Sequence, residues 1–304
     1  MGATTSVLQQ RIDSGKPVLV AELSPPQVAE AGSVREIARR LKGKVHAVGV
    51  SDNRDHVCMS AVAAATLVAA EGVEPILHMV TRDRNRVALV SDLLGAQALG
   101  VKNVLCTSGT HQTLGAYRQA RNVFDLDAVQ LLQTYAGLGS SAAAVGATSI
   151  AAGTLCLGAV VSPFSDPVEL QLLKLQKKIQ AGARFVITQP VFDVERFEAW
   201  WAEVTKRGLQ KQAAILAGIR PLASAEAART LAAARPKTLI PDAVINRLAA
   251  KADAAAQRAE GVAVALETIR RLAKLPGLRG FEVCGDGQSE AALEVIEKSA
   301  VEIN

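Results

Sequence analysis

Glu22 is the residue whose type and setting best suit it to chemistry, for it interrupts an otherwise apolar run, V-L-V-A-E-L, that is closed by Pro25 and Pro26. A carboxylate there is costly to bury unless it is paired or put to use. Partial burial raises its pKa and makes it a general acid near neutral pH. The other reading is a structural carboxylate that ties down a loop; a position at the end of a buried strand favours chemistry. Gln189 stands in V-I-T-Q-P. Its amide can read the donor and acceptor edge of a heterocycle, or bond to a neighbouring strand. His78 ends P-I-L-H. No second histidine stands near it, so no metal is expected, and a hydrogen-bonded structural histidine is the plainer reading. In Thr107-Ser108-Gly109-Thr110-His111 a glycine among hydroxyls lets the backbone approach a ligand closely; an ordinary turn is the alternative. Arg82, Asp83 and Arg84 read as a solvated, self-paired loop. The G-L-G-S-S stretch at Gly137 follows a helical pattern, not a strand, so it is no dinucleotide fingerprint, and no GxxxxGK[ST], HExxH or GxSxG motif is present.

These residues need strands to hold them, and the chain supplies eight short, nearly all-apolar runs: 18–23, 46–51, 75–79, 103–106, 155–161, 185–189, 214–219 and 280–284. Such runs suit parallel strands buried on both faces. Helical patterns lie between them. Ser33 reads as an N-cap with Glu36 completing a capping box. Other helices are expected over 61–70, 87–98, 125–135, 169–181, 194–206, 223–234 and 252–272. In the helix at 169–181, Leu170, Leu173 and Ile179 read as the buried face. Gly72, Gly100, Gly182 and Gly208 follow helices as left-handed stops. Strand–helix units of about 30 residues predict a single (β/α)8 TIM barrel, with a doubly wound sheet as the runner-up. Residues 1–304 are expected to form one barrel domain with a short N-terminal helix and a C-terminal helix. A barrel gathers its chemistry at the C-terminal ends of its strands. The polar residues to examine there are Glu22, Ser24, Ser51, Asp52, Asn53, His78, Thr81, Arg82, Asp83, Thr107, Ser108, Thr110, His111, Ser162, Thr188, Gln189, Arg220 and Asp286.

Composition excludes several classes. The 304 residues are 49% hydrophobic and 21% charged, which is not a disordered composition. No apolar run reaches the length of a bilayer span, and the N-terminus lacks the basic start and apolar core of a signal peptide. The myristoylation-like Gly2 to Ser6 is read as chance. The net charge of +5 is dispersed, and 3% aromatic residues are too few for a base-stacking platform, so neither nucleic acid nor a membrane is an expected partner. Cys58, Cys106, Cys156 and Cys284 form no CxxC pair, and a reduced cytoplasmic setting is expected.

Taken in order, several motifs resemble the methylenetetrahydrofolate reductase family. Glu22 with Pro25 and Pro26 resembles the family's E-F-x-P-P start. His46 to Asn53 resembles its second-strand segment, and H-M-V-T-R-D-R-N from His78 its third-strand motif. A-G-A-R-F-V-I-T-Q-P-V-F-D, from Ala181 to Asp193, is the most specific match, and G-I-R-P-L at Gly218 resembles G-I-x-P. The resemblance runs from about Val18 to about Pro221 and more weakly to the end. It implies a barrel that reduces 5,10-methylenetetrahydrofolate to 5-methyltetrahydrofolate by hydride transfer from a reduced flavin, FAD or else FMN. In that reading Glu22 is the general acid that helps open the imidazolidine ring. Gln189 and Thr110 contact the folate, and Ser51, His78, Ser108, Gly109, Thr110 and Lys178 hold the flavin. Electrons come from NADH or NADPH, or through an electron-transfer partner subunit, and an oligomer is expected. One alternative is a barrel subunit of a larger electron-transfer complex; another is a reductase of a different reduced pterin without tightly bound flavin. The chain departs from the family at Gly109-Thr110, where the family has G-D. A hydroxyl in place of that carboxylate removes a negative charge beside the flavin and eases formation of the anionic reduced ring; Asp52 or Asp83 could stand in for it.

Overall fold

Apolar strands buried on both faces, each followed by a helix, hide their surfaces best as a closed parallel ring inside a ring of helices. The computed structural model describes residues 5–54, 56–115, 117–138, 155–234, 238–285 and 289–303. In it, β1 (Val18–Leu23), β2 (Ala47–Val50), β3 (Pro75–Val80), β4 (Asn103–Thr107), β5 (Cys156–Val161), β6 (Phe185–Pro190), β7 (Ala214–Ile219) and β8 (Gly280–Val283) form a closed barrel in chain order. Every neighbouring pair is parallel, and β1 pairs back to β8. The helices are α1 (Val7–Asp13), α2 (Gly32–Leu41), α3 (Ala61–Ala70), α4 (Arg86–Ala98), α5 (Ala128–Leu138), α6 (Val168–Gln180), α7 (Val194–Lys206), α8 (Ala225–Ala234), α9 (Asp242–Ala249), α10 (Ala254–Leu272) and α11 (Glu290–Ile303). The predicted TIM barrel is therefore what the chain forms, and none of its described helices is long and apolar enough to cross a membrane.

Strand alternation sorts the side chains into two cores. Leu19, Ala21 and Leu23 face outward into a large cluster shared with the helices. Val18 and Val20 face inward with Ala47, Ile76, Leu105, Phe185, Ile187 and Leu216. Leu8 and Ile12 of α1 join that inner cluster and close the N-terminal end of the barrel. Glu74, just ahead of β3, holds α1 in place by accepting the Val7 and Leu8 N–H groups at 2.7 and 2.8 Å. The same alternation sends Glu22 inward at the other, C-terminal end, into a cavity. Small residues shape the interior: an alanine Cβ at position 158 would lie 2.2 Å from Cζ of Phe185, so Gly158 yields its space to that ring.

Several local expectations are corrected. Ser33 does not cap α2. The Glu30 carboxylate accepts the N–H groups of Gly32 and Ser33 instead, and the Ser33 hydroxyl is buried without a partner. The buried face of α6 is Gln171, Leu172 and Leu175, while Leu170 and Leu173 are 42% and 43% exposed; the face is turned about one residue from that expected. The helix expected from 125 begins at Ala128, with Asp127 ahead of it accepting the Gln130 N–H at 2.8 Å. Helix α9 lies between the helices expected over 223–234 and 252–272, where none was expected. Gly72, Gly100, Gly182 and Gly208 all have positive φ, as expected of helix stops. Gly137 and Leu138 end α5, and the rest of the G-L-G-S-S stretch lies outside the described residues.

Gly158→Ala should overpack the barrel and lower stability by about 1–3 kcal/mol. Adding Phe185→Leu should recover most of that loss. Urea unfolding of the single and double variants measures both.

Candidate active site

The C-terminal mouth holds a cavity of about 300 Å³, walled by inward residues from β1, β2, β3, β4, β5, β6 and β8. Register sets its depth. Glu22 is level with Gly49 of β2, and Glu282 of β8 is level with Val20, one inward-facing step deeper than Glu22. Val80, Leu105, Val160 and Ile187 give the cavity apolar walls, and Thr107, Gly109, Thr110 and Gln189 give it a polar rim.

Glu22 is 4% exposed and pairs with Arg54 in the loop after β2. Its second oxygen, Oε2, has no partner among the described residues. Burial pushes the carboxyl up, but Arg54 beside it, with His78 and Arg220 farther off, outweighs burial and leaves its pKa below the ordinary carboxylate range. The expected upward shift of Glu22 is thus reversed, because a guanidinium that the sequence did not locate reaches it. The shift goes instead to Glu282. Burial raises that carboxyl and the nearby charge of Glu22 raises it further, to about 8. Two enclosed carboxyls share one guanidinium, so one ionises and the other keeps its proton. His78 stays neutral: burial pushes its pKa down to about 4, and its Nε2 is buried without a partner.

Gln189 is oriented from outside the cavity. Ser162 donates to its Oε1 at 2.7 Å and is itself bonded to Ser165. With its carbonyl end held, the amide nitrogen is the end left to donate into the mouth. Thr188 secures the neighbouring strand by accepting the Gly218 N–H at 3.0 Å. Ser51 bonds the Ser24 hydroxyl at 3.2 Å.

The rim is braced by charge pairs. Arg82, 4% exposed, binds both Asp83 oxygens at 2.7 Å and donates to the carbonyls of Thr110 and Asn53 at 3.0 and 2.7 Å. It ties together the loops after β2, β3 and β4, and is a buried brace where a solvated loop was expected. Asp52 accepts the Val80 N–H at 3.0 Å and pairs with Arg84. Asp52 and Asp83 are both committed to arginines, so neither is left to replace the carboxylate that Thr110 lacks.

The mouth therefore gathers Glu22, Ser51, Asp52, His78, Arg82, Thr107, Gly109, Thr110, Thr188 and Gln189 from the residues named by sequence. Ser108 and Lys178 stand apart from it. The Ser108 hydroxyl accepts the first N–H of α5, and the Lys178 ammonium donates to the Val160 carbonyl at 2.7 Å. His111 is exposed and bonds with Asn122 and Thr113. Asp286 lies outside the described residues. Arg54, Glu282 and Cys284 line the cavity and were missed. For Glu282 a signal existed: a carboxylate inside the apolar run G-F-E-V-C is the same pattern that singled out Glu22.

A flavin ring asks for a flat apolar wall, a polar edge and close backbone approach. The wall and rim residues meet that. Gly109 has φ of +80°, and a Cβ there would lie 2.6 Å from Val80 Cγ1, so glycine keeps the backbone of the rim clear of its neighbour. The unpartnered His78 Nε2 and Glu22 Oε2 are polar atoms that a heterocycle can meet. The residues at the mouth fit such a ring; Ser108 and Lys178 are engaged by backbone.

A (β/α)8 barrel with an acid, an amide and an imidazole at its C-terminal mouth defines an enzyme-like class of site. The family model described as methylenetetrahydrofolate reductase matches residues 7–300, and the chain belongs to that family. A probable methylenetetrahydrofolate reductase (NADPH) of Caenorhabditis elegans is 27% identical over 180 residues, 59% of this chain and 25% of that protein. The chain spans about a quarter of the length of that relative. An uncharacterized protein from Clostridium thermocellum, described as binding two copies of 5-methyl-5,6,7,8-tetrahydrofolic acid, superposes with a TM-score of 0.66 at 13% identity, over 98% of this chain and 100% of that one. A long-chain alkane monooxygenase (LadA) superposes at 0.54 with 10% identity, over 94% and 91%. At these identities the two structures share the fold.

Arg54→Gln should leave Glu22 with burial as its main influence, so its carboxyl should titrate higher than in the parent. Side-chain carboxyl ¹³C NMR across pH 3–9 measures this. An unchanged Glu22 titration would show that Arg54 does not set its charge.

Proposed function

We propose that the chain reduces 5,10-methylenetetrahydrofolate to 5-methyltetrahydrofolate in the barrel mouth, with Glu22 as general acid and Gln189 holding the pterin. The observation that carries this reading is the buried Glu22 carboxyl, with one oxygen free of partners among the described residues, in one cavity with the Gln189 amide in a chain of this family.

Opening the imidazolidine ring requires a proton at N10 as its bond to the bridging carbon breaks. The electron pair stays on N10, and the bridge becomes an iminium at N5. In this reading Glu22 delivers that proton and faces the cation that follows, which its carboxylate then stabilises. Gln189, with Oε1 held by Ser162, offers its N–H donors to the acceptor edge of the pterin, and Thr110 adds a hydroxyl at the rim. Apolar walls from Val80, Leu105, Val160 and Ile187 keep water from the bridge carbon. Ser51, His78, Gly109 and Thr110 are the residues that would hold a flavin. FAD or FMN bound there would supply the hydride, with electrons from NADH, NADPH or a partner subunit.

The backbone commitments of Ser108 and Lys178 favour a second reading, in which the same mouth takes its hydride from a freely exchanging donor such as reduced nicotinamide. An absorption spectrum of the purified chain, with mass identification of what co-purifies, separates the two. Flavin bands bleached by NAD(P)H support the first reading, and a colourless chain that still reduces the folate supports the second. Under either, Glu22→Gln should cut folate reduction by about 10²–10⁴-fold. Full activity in that variant would remove Glu22 from the mechanism.

A further inference from the structure

Glu282 is 5% exposed, and its inner surroundings are unusual for a carboxyl. Its Oε2 has only the weak S–H donor of Cys284, at 3.5 Å, and its Oε1 has no partner among the described residues. The unpartnered Nε2 of His78 opens onto the same place: a Cβ on Gly49 would stand 3.2 Å from Glu282 Oε1 and 2.9 Å from His78 Nε2. A side chain at position 49 would crowd both, so the absence of one keeps an unpaired carboxyl oxygen and an unpaired imidazole nitrogen around a shared gap. The gap lies on the floor of the cavity whose mouth holds Glu22. Leaving buried polar atoms unpaired is costly, and a purely structural role would be served by a paired or apolar residue.

We infer that Glu282 is the proton store of the site, a neutral carboxyl beneath Glu22 that supplies the acid at the mouth. This rests on the proposed folate chemistry for its purpose, but not for its existence. At rest Arg54 keeps Glu22 ionised, so Glu22 has no proton of its own to give. Each reduction of the methylene bridge consumes one proton at N10, apart from the hydride. In the relay the O–H bond of Glu282 breaks and its proton passes to Glu22 through the cavity that both carboxyls line. The O–H bond of Glu22 then breaks as N10–H forms. Glu282 is left as a carboxylate and is refilled from solvent. No electrons change hands in the relay; the hydride comes from reduced flavin or reduced nicotinamide.

The charges around Glu282 agree with this. From β1 it faces Glu22, from the loop after β2 Arg54, from β3 the neutral His78, and on β8 itself Cys284, whose thiol burial holds protonated; Arg220, after β7, acts on Glu22 and Cys284. Burial and the charge of Glu22 outweigh Arg54, and the carboxyl titrates at about 8.

Infrared pH titration of the full chain tests the store without any turnover. The parent should show a protonated-carboxyl band at pH 7 that is lost with a midpoint of about 8 and is absent from Glu282→Gln. Thermal melting gives a second readout. Between the ordinary carboxyl value of 4.5 and about 8 the native chain holds a proton that the unfolded chain has lost. Stability from this group is therefore full below that window and falls as pH rises through it, and Glu282→Gln should remove that fall. In turnover the parent's kcat should decline above about pH 8, matching the same carboxyl. Glu282→Gln should lower kcat by about tenfold or more with the folate KM little changed, and should erase that limb. Glu282→Asp should recover part of kcat and keep the limb. If Glu282→Gln does not fold, the parent band and its shifted midpoint in Glu282→Asp decide. No band at pH 7, or a band that survives in Glu282→Gln, overturns the store. An unchanged kcat limb in Glu282→Gln overturns the relay. A chain with the band and without folate reduction would sink the folate reading and leave the proton store standing.

Discussion

A carboxylate and a guanidinium enclosed together at one end of an apolar barrel constrain everything else at the mouth. Removing two charges from water is expensive, and their attraction repays that only when the geometry is good and neighbouring groups help. Here Arg54 is partly open to solvent, with its side chain 28% exposed, while that of Glu22 is 5% exposed. The cost is met on the arginine side, and the carboxylate can stay ionised deep in the cavity. A second carboxyl close by is then held protonated at neutral pH, which is how Glu282 keeps its proton. The charge state of one pair thus sets that of its neighbour, and the two lie one strand step apart because the barrel register places them so.

Holding that arrangement requires rigid loops, and the rim supplies them with buried ion pairs. Arg82 is bonded to its neighbour Asp83 and to carbonyls in two adjacent loops, and Asp52 joins a strand N–H to Arg84. Removing Asp83 would leave the buried Arg82 guanidinium with carbonyl acceptors alone, a larger cost than losing a surface pair. Gln189 is held in the same spirit, from behind, by Ser162. These side chains are engaged in positioning, whereas Glu22 Oε2, His78 Nε2 and Glu282 Oε1 are buried without a partner among the described residues, and Gln189 lines the same cavity.

The strands were legible because a strand buried on both faces has a plain signature, and the barrel followed from their number and spacing. Glu22 and Gln189 were legible for the same reason, as polar residues at the ends of apolar runs. Glu282 carried that signature too, but in a run of four apolar neighbours with a cysteine it passed as part of the strand. Arg54 could not be found from sequence, since nothing in S-D-N-R says that its side chain folds back over β1. That contact, together with His78 and Arg220, reverses the Glu22 shift inferred from burial alone, although burial is the largest single influence. The turned face of α6 and the displaced cap of α2 have a smaller cause. Leucines at 170 and 173 suit an inward stripe as well as Leu172 and Leu175 do, and Glu30 outcompetes Ser33 for the first helical N–H groups.

A crystal structure of the chain with bound 5-methyltetrahydrofolate shows whether a reduced pterin lies in the mouth with its bridge nitrogen against Glu22. The expected result is the pterin in hydrogen-bond contact with Gln189, N10 turned toward Glu22, and the ring resting on the walls formed by Leu105, Val160 and Ile187. A folate bound outside the barrel mouth, or one in the mouth whose bridge points away from Glu22, would contradict it.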